Sequence, residues 1–245
     1  TELKTAKDKA RHLADRDQLT DCYNRTYMHQ FLENLSKNYN GEAVHHALAL
    51  IDIDRFKHMN DTYGHDVGDK ALIAFVDQMK ARIDNKGLIF RLGGDEFLIF
   101  LQDVGAPDQI GPKLESISKK VLVPLEFGSR NIEVALSVGV SILEASADTN
   151  WGEKIQQADI ALYHSKKSGR NQYTIYDDKL NADILERKWL EVEIAKAISA
   201  KSFDVHYQPR IRLDTGQIVG AEALIRWEHP ESYPSGPNGY CSAAD

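Results

Sequence analysis

Two pairs of acidic residues are the features of this sequence best suited to chemistry. Asp52 and Asp54 stand two apart at the end of the apolar run Ala47-Leu48-Ala49-Leu50-Ile51. On a strand that spacing sends both side chains out of the same face. Carboxylates at the mouth of a sheet are hard oxygen ligands, suited to a magnesium ion that also binds phosphate oxygens, although a solvated strand end has the same composition. Asp95 and Glu96 follow Gly93 and Gly94, which can adopt backbone angles closed to other residues and so admit a phosphate to the main chain. Taken alone, this is simply a good turn. If the acidic strand end and the acidic turn lie side by side in one sheet, they bracket a metal pair.

The elements that must position these acids follow from periodicity. Ala47 to Asp54 reads as a buried strand. Leu88 to Leu92 and Phe97 to Leu101 are apolar runs on either side of Gly-Gly-Asp-Glu, which is a hairpin signal. Between the strand and the hairpin a helix is predicted from about Asp69 to Ile83, with Leu72, Phe75, Val76 and Met79 on one face. Upstream, Asn24 caps a helix carrying Tyr27, Met28, Phe31, Leu32 and Leu35. Downstream come a helix over about 108–121, a strand over 132–143, a helix over 151–168 and a short strand over 172–176. The order predicts an α/β (α+β) domain with a central hairpin. Residues 178–200 read as a charged connecting helix, and 203–212 with 217–226 as two strands around the turn Asp214-Thr215-Gly216. At the start, Leu3, Ala6, Ala10 and Leu13 repeat with the a/d spacing of a helical seam, a pattern that an ordinary solvated helix shares.

Composition narrows the partners. With 30 Lys and Arg against 37 Asp and Glu, the net charge of -7 argues against a nucleic acid as the main partner. It leaves room for a small polyphosphate held by a metal and a few cations. Cys22 and Cys241 are far apart and show no disulfide or metal-ligand pattern, as suits a reducing cytoplasm. No apolar run approaches the roughly 18 residues of a membrane span, so no membrane segment is expected. The chain begins at Thr1 rather than Met, and a longer protein with an upstream sensor domain is the expectation.

Several segments carry a resemblance to a known family. Arg91-Leu92-Gly93-Gly94-Asp95-Glu96-Phe97 is similar to the signature of GGDEF domains, the diguanylate cyclases. Asp17-Gln18-Leu19-Thr20 with Asn24-Arg25, Asp52-Ile53-Asp54-Arg55-Phe56-Lys57 through Asn60 and His65 to Gly68-Asp69, and Ala158-Asp159 through Lys166 to Gly169-Arg170-Asn171 agree in order and spacing. Together such spaced motifs are specific, whereas any one would be weak. The resemblance implies a palm-like sheet with flanking helices, as in nucleotidyl cyclases, and condensation of two GTP into cyclic di-GMP by a homodimer. It implies two Mg2+ ions per site, with Mn2+ as a substitute, held by Asp52, Asp95 and the Ile53 carbonyl. Either Asp95 or Glu96 would take the hydroxyl proton. Asn60 and Asp69 would read guanine, because a carboxylate accepts from its N1–H and amine whereas adenine offers an acceptor at N1. His65 matches a substrate-contacting position. The backbone of Arg55, Phe56 and Lys57 would face the triphosphate, Lys166 and Arg170 would clamp its outer phosphates from one helix face, and Arg91 would steady developing charge.

The chain also departs from the pattern. Arg82 and Asp84 are wrongly spaced for the Arg-x-x-Asp product-inhibition motif, so no such site is expected. Ser165 replaces a usual alanine. Phe203, Tyr207-Gln208-Pro209, Gly220, Glu222-Ala223-Leu224 and Arg226-Trp227 resemble the start of an EAL phosphodiesterase domain. Glu222 matches a metal ligand there, yet residues 202–245 are a fraction of the roughly 250 that a barrel of that class needs. Phosphodiesterase activity is therefore not expected of this chain. The expected organisation is a linker helix (1–16), a cyclase domain (17–177), a connecting helix (178–201) and an EAL fragment (202–245). The competing readings are a catalytically silent GTP-binding module regulating an EAL domain, and a palm-fold transferase acting on another base.

Overall fold

The computed structural model describes residues 12–39, 41, 44–83, 87–106, 109–124 and 131–227. In chain order the first elements are β1 (Tyr23–Asn24), α1 (Arg25–Lys37), β2 (His45–Ile53), α2 (Phe56–Tyr63), α3 (His65–Ile83), β3 (Gly87–Gly93) and β4 (Glu96–Leu101). There follow α4 (Gly111–Ser118), β5 (Val121–Pro124), β6 (Asn131–Val134), β7 (Leu136–Glu144), α5 (Trp151–Lys167), β8 (Gln172–Ile175), α6 (Asp178–Ala200), β9 (Asp204–Ile211) and β10 (Ile218–Arg226). The main sheet runs β1-β3-β4-β2-β7-β8. Its outer pairs, β1 with β3 and β7 with β8, are parallel, and the central pairs are antiparallel.

Strand β2 is apolar without alternation because both of its faces are covered. Ala47, Ala49, Ile51 and Ile53 join Leu72, Phe75, Val76 and Met79 of α3 and Leu114 and Ile117 of α4 in one core. Leu48 and Leu50 join Met28 and Leu32 of α1 and Ala158 and Leu162 of α5 in the other. By the same alternation Asp52 falls on the α1/α5 side. In β4, Leu98 and Phe100 lie in that second core, so Glu96 shares the face. Helix α1 starts where expected, with the Asn24 side chain accepting from the Tyr27 amide at 2.9 Å.

Three boundaries differ from the sequence reading. The run 132–143 is two strands, β6 and β7, interrupted at Ala135, whose carbonyl accepts from the Asp54 amide at 2.9 Å. β6 instead pairs with β5 in a separate hairpin. Helix α2 was unforeseen; it is a short turn of chain with one buried residue, Met59. Helix α3 begins at His65, not Asp69, so Asp69 is no helix cap. Of the N-terminal seam only Leu13 is among the described residues, and it is exposed.

The chain divides into two units, up to Leu180 and from Asn181. In the second, β9 and β10 form an antiparallel hairpin with Gln208 opposite Glu222, leaving Val205, Tyr207, Ile211, Ile218 and Ile225 exposed. Among the described residues no helix is long and apolar enough to cross a membrane.

Helix α5 sits unusually close to β7. A methyl group at Gly139 would meet the Ala158 carbonyl oxygen and the Leu162 nitrogen at 2.1 Å each. These are backbone atoms inside a helix, so they can move only with the helix. Gly139→Ala is expected to destabilise the fold by about 3 kcal/mol or more, the upper end for overpacking, read from the urea midpoint. A midpoint within experimental error of the parent would contradict this packing.

Candidate functional site

The C-terminal end of β2 and the β3–β4 turn lie side by side, as their acids require. Strand register puts Asp52 directly opposite Glu96 on β4 and opposite Ser137 on β7. The turn closes Gly93 against Glu96, with Gly94 and Asp95 at its tip. Gly94 has φ 55°, and open space surrounds both glycines; the left-handed backbone, not crowding, is what calls for glycine there. Two carboxylates facing each other across a strand pair are unfavourable for stability alone.

Asp52 carries the marks of that crowding. Burial pushes its carboxyl above the usual carboxylate range, and the charges of Asp95 and Asp54 push the same way. The Lys166 ammonium, 2.6 Å from Asp52 Oδ2, opposes them. Among the described residues no three acidic, histidine or cysteine side chains converge closely enough to hold a metal ion by themselves. Two carboxylates and the Ile53 carbonyl nonetheless suit magnesium, which keeps several waters and takes phosphate oxygens as ligands. Asp95 is half-buried, whereas Glu96 and Lys57 are exposed.

Two further groups face the same end of the sheet. Arg55 has φ 59° and opens α2 without any side-chain cap, so the first amides of α2 are left for an anion. On α2, Asn60 has its Oδ1 buried without a hydrogen-bond partner, and Gly68 of α3 is what makes room for it: a methyl there would lie 1.9 Å from that oxygen. Asp69 and His65 of α3 are exposed.

Arg91 is held from two sides. Its Nε and Nη2 donate to the Gly94 carbonyl at 3.0 and 2.8 Å, and its Nη1 donates to Asp17 Oδ1 at 2.9 Å. Asp17 also accepts from the Thr20 amide and hydroxyl, at 3.0 and 2.7 Å. The guanidinium therefore braces the turn. Nothing in the sequence ties Asp17 to a residue 74 positions away; only its local spacing with Thr20 was legible.

One sequence expectation holds in part and one needs correcting. Asp54, just past the end of β2 at Ile53, keeps to the Asp52 face, but its carboxylate is already committed: it accepts from Ser137 Oγ, opposite Asp52, at 2.7 Å and from the Asn171 amide at 3.0 Å. Arg170 does not share a helix face with Lys166. Helix α5 ends at Lys167, and Arg170 lies beyond it at φ 63°, paired with Asp54 while Lys166 pairs with Asp52. Asp84, and the segment after Pro230, lie outside the described residues. Glu222 is exposed on β10.

A mixed sheet with carboxylates gathered at one end, and helices delivering cations and an amide to it, defines a palm-like α/β domain. The chain belongs to the GGDEF family: the family model "Diguanylate cyclase, GGDEF domain" matches residues 14–172, and the EAL domain model matches residues 191–244. It is 31% identical over 231 residues to the "Bifunctional diguanylate cyclase/cyclic di-GMP phosphodiesterase MucR" of Pseudomonas aeruginosa, covering 94% of this chain and 33% of that protein. It is 29% identical over 250 residues to the "Cyclic di-GMP phosphodiesterase PdeR" of Escherichia coli, covering 100% of this chain and 36% of that protein. The chain thus spans about a third of the length of these relatives. Among solved structures it is similar to the coiled coil and GGDEF domain of DgcB from Caulobacter crescentus in complex with c-di-GMP, with TM-score 0.63, 25% identity and coverage of 71% and 92% of the two chains. It is also similar to the diguanylate cyclase SiaD of Pseudomonas aeruginosa, crystallised with its activator SiaC, with TM-score 0.60, 29% identity and coverage of 71% and 67%.

The Asp17–Arg91 brace makes a pH-dependent prediction. Burial pushes the Asp17 carboxyl upward, but hydrogen bonds from Thr20 and Arg91 outweigh it and hold the group below the ordinary range. A carboxyl lowered on folding adds stability above its unfolded value and loses it as pH falls through the folded one. Asp17→Asn is expected to cost about 1–2 kcal/mol at neutral pH, the gap to the parent narrowing below about pH 4. Denaturant melts at stepped pH measure it, and a gap that stays constant would exclude the charge contribution.

Proposed function

We propose that the chain is a diguanylate cyclase, condensing two GTP into cyclic di-GMP and two pyrophosphates. The observation that carries this reading is the gathering of Asp52, Asp95 and Glu96 at one sheet end, with Asp52 raised by burial and by its acidic neighbours. So costly an arrangement is the kind that functional sites keep. Mg2+ or Mn2+, two per site on Asp52, Asp95 and the Ile53 carbonyl, would supply stabilisation of the attacking and leaving oxygens of an in-line displacement.

The chain's own residues supply the rest. In each of two steps a 3′-oxygen bonds to the α-phosphorus of the other GTP, the bond to pyrophosphate breaks, and the hydroxyl proton passes to Asp95 or Glu96. Asn60 and Asp69 hold guanine, and the Asn60 side-chain oxygen, buried without a partner in the chain, is free to turn to one on the base. His65 contacts the substrate. The uncapped start of α2 at Phe56 and Lys57 receives phosphate oxygens, and Lys166 and Arg170 approach the triphosphate from two elements. Arg91 keeps the turn in shape and adds positive charge beside it. Because the product has two equivalent halves, two copies must face each other, each holding one GTP.

In the whole protein, an upstream sensor and a cytoplasmic location complete the proposal. The match to the EAL model and the name of the PdeR relative favour a second reading, in which the domain binds GTP and regulates a phosphodiesterase without catalysis. One assay separates them: purified chain with GTP and Mg2+, beside an Asp95→Ala control. Cyclic di-GMP is expected from the parent, with the control slower by at least about 100-fold. GTP bound without product would favour the second reading.

Guanine recognition has its own test at Gly68. The side chain of Asn60 can swing away from an added methyl, so Gly68→Ala is expected to change stability by less than about 1 kcal/mol. Displacing that amide is expected to raise KM for GTP by about tenfold, as for one lost hydrogen bond to a buried partner. An unchanged KM would remove Asn60 from recognition.

A further inference from the structure

Asp54 sits two residues from a proposed metal ligand, yet its carboxylate is committed elsewhere. Its side chain is only 4% exposed. Oδ1 accepts from Ser137 Oγ at 2.7 Å and lies 3.9 Å from Arg170 Nε, and Oδ2 accepts from the Asn171 amide at 3.0 Å. Its own amide continues the ladder by donating to the Ala135 carbonyl. Strand register explains why these groups converge. Ser137 pairs with Asp52 on one side and with Gln172 on the other, so a residue just past β2 and a residue just before β8 both end up beside Ser137.

The chain that Asp54 holds is strained. Gly169, Arg170 and Asn171 run at φ 114°, 63° and 50°, and left-handed conformations in non-glycine residues cost roughly 1–2 kcal/mol each. Such a turn persists only where its surroundings over-determine it. Here the Arg170 amide is tied to the Ser165 carbonyl at 2.9 Å, and Asp54 supplies the tie on the far side.

We infer that Asp54 is a positioning residue, one buried carboxylate that fixes the Gly169–Asn171 turn against the β2–α2 turn and thereby aims Arg170 at the triphosphate; it is not a metal ligand. This rests on the GTP reading above for what Arg170 is aimed at, but the tie itself is independent of it. No chemical step passes through Asp54. Its charge balances Arg170 and its two oxygens receive the Ser137 hydroxyl and the Asn171 amide.

The test uses the full chain, first without nucleotide. In Asp54→Ala, hydrogen exchange at the Asn171 amide is expected to speed up by about tenfold or more, the loss of a charge-assisted hydrogen bond. Exchange at Ile51 and Phe97 should not change. Ser137→Ala should move Asn171 in the same direction by less, and it stands in, together with Asp54→Asn, should Asp54→Ala fail to fold. With GTP, KM should rise about tenfold while kcat stays within about threefold, and the Mg2+ concentration for half-maximal rate should not shift. Asp52→Asn should do the reverse, leaving Asn171 exchange alone. An unmoved Asn171 amide, a speed-up spread evenly through the sheet, or a raised Mg2+ requirement matching that of Asp52→Asn would each overturn the assignment. If the parent itself makes no cyclic di-GMP, the cyclase reading fails, and the exchange data with fluorescent-GTP affinity still decide the role of Asp54.

Discussion

The close seat of α5 on β7 is the contact on which the site depends. Alternate residues of β7 on that side are Ser137, Gly139 and Ser141, and their small size lets the helix backbone come down onto the sheet. Polar groups that would otherwise be stranded are then paired across the gap: Ser165 Oγ donates to the Val138 carbonyl at 2.7 Å, and Ser141 Oγ donates to Gln157 at 3.0 Å. A buried serine so satisfied costs little, whereas an unpaired one would cost about 1–3 kcal/mol. The replacement of alanine by Ser165 is therefore accommodated by a second hydrogen bond, to Thr174. Because the helix lies so low, Lys166 in its last turn reaches Asp52 in the neighbouring strand.

Electrostatics and backbone conformation depart from their local optima in the same small region. Asp52 faces Glu96 across the sheet and feels Asp95, with burial making its charge still less favourable. Arg55, Arg170 and Asn171 occupy left-handed backbone that suits glycine better. Away from this end, the two cores obey simple rules of alternation and helical periodicity. Left-handed non-glycine residues also occur at Asp21, Asp103 and Lys201, but at this end they coincide with opposed carboxylates, and such a concurrence of conflicts is what selection for function leaves behind.

What could be read from sequence follows from which interactions are local. The β2 strand, the β3–β4 hairpin, the Asn24 cap and the long amphipathic helix were legible because each is encoded by neighbours in the chain. The α2 helix was missed because its eight residues bury only Met59 and give no sustained period. The two strands within 131–144 read as one because the break at Ala135 is set by a bond to distant Asp54. In the site, the acids at Asp52 and Asp95 were found from spacing and motif. The fates of Asp54, Arg91 and Arg170 were not, since their partners are Ser137 and Asn171, Asp17, and Asp54, each many residues away. Residue type gave the charge but not its counterpart.

The Asp17 carboxylate meets two parts of the molecule at once. It accepts from Thr20, in the stretch that follows the helical segment at His12–Asp15, and from Arg91, which grips the Gly94 carbonyl in the acidic turn. Asn24, one step along, donates to the Ala14 carbonyl at 2.7 Å while its backbone pairs with Arg91. The entry of the chain into the domain and the tip of its acidic turn are thus two ends of one short lever whose fulcrum is an ion pair. The same stretch is also anchored by packing, Cys22 in one core and Tyr23 against Phe90 of β3, so the acidic turn is tied to the domain's entry by charge and by apolar contact together.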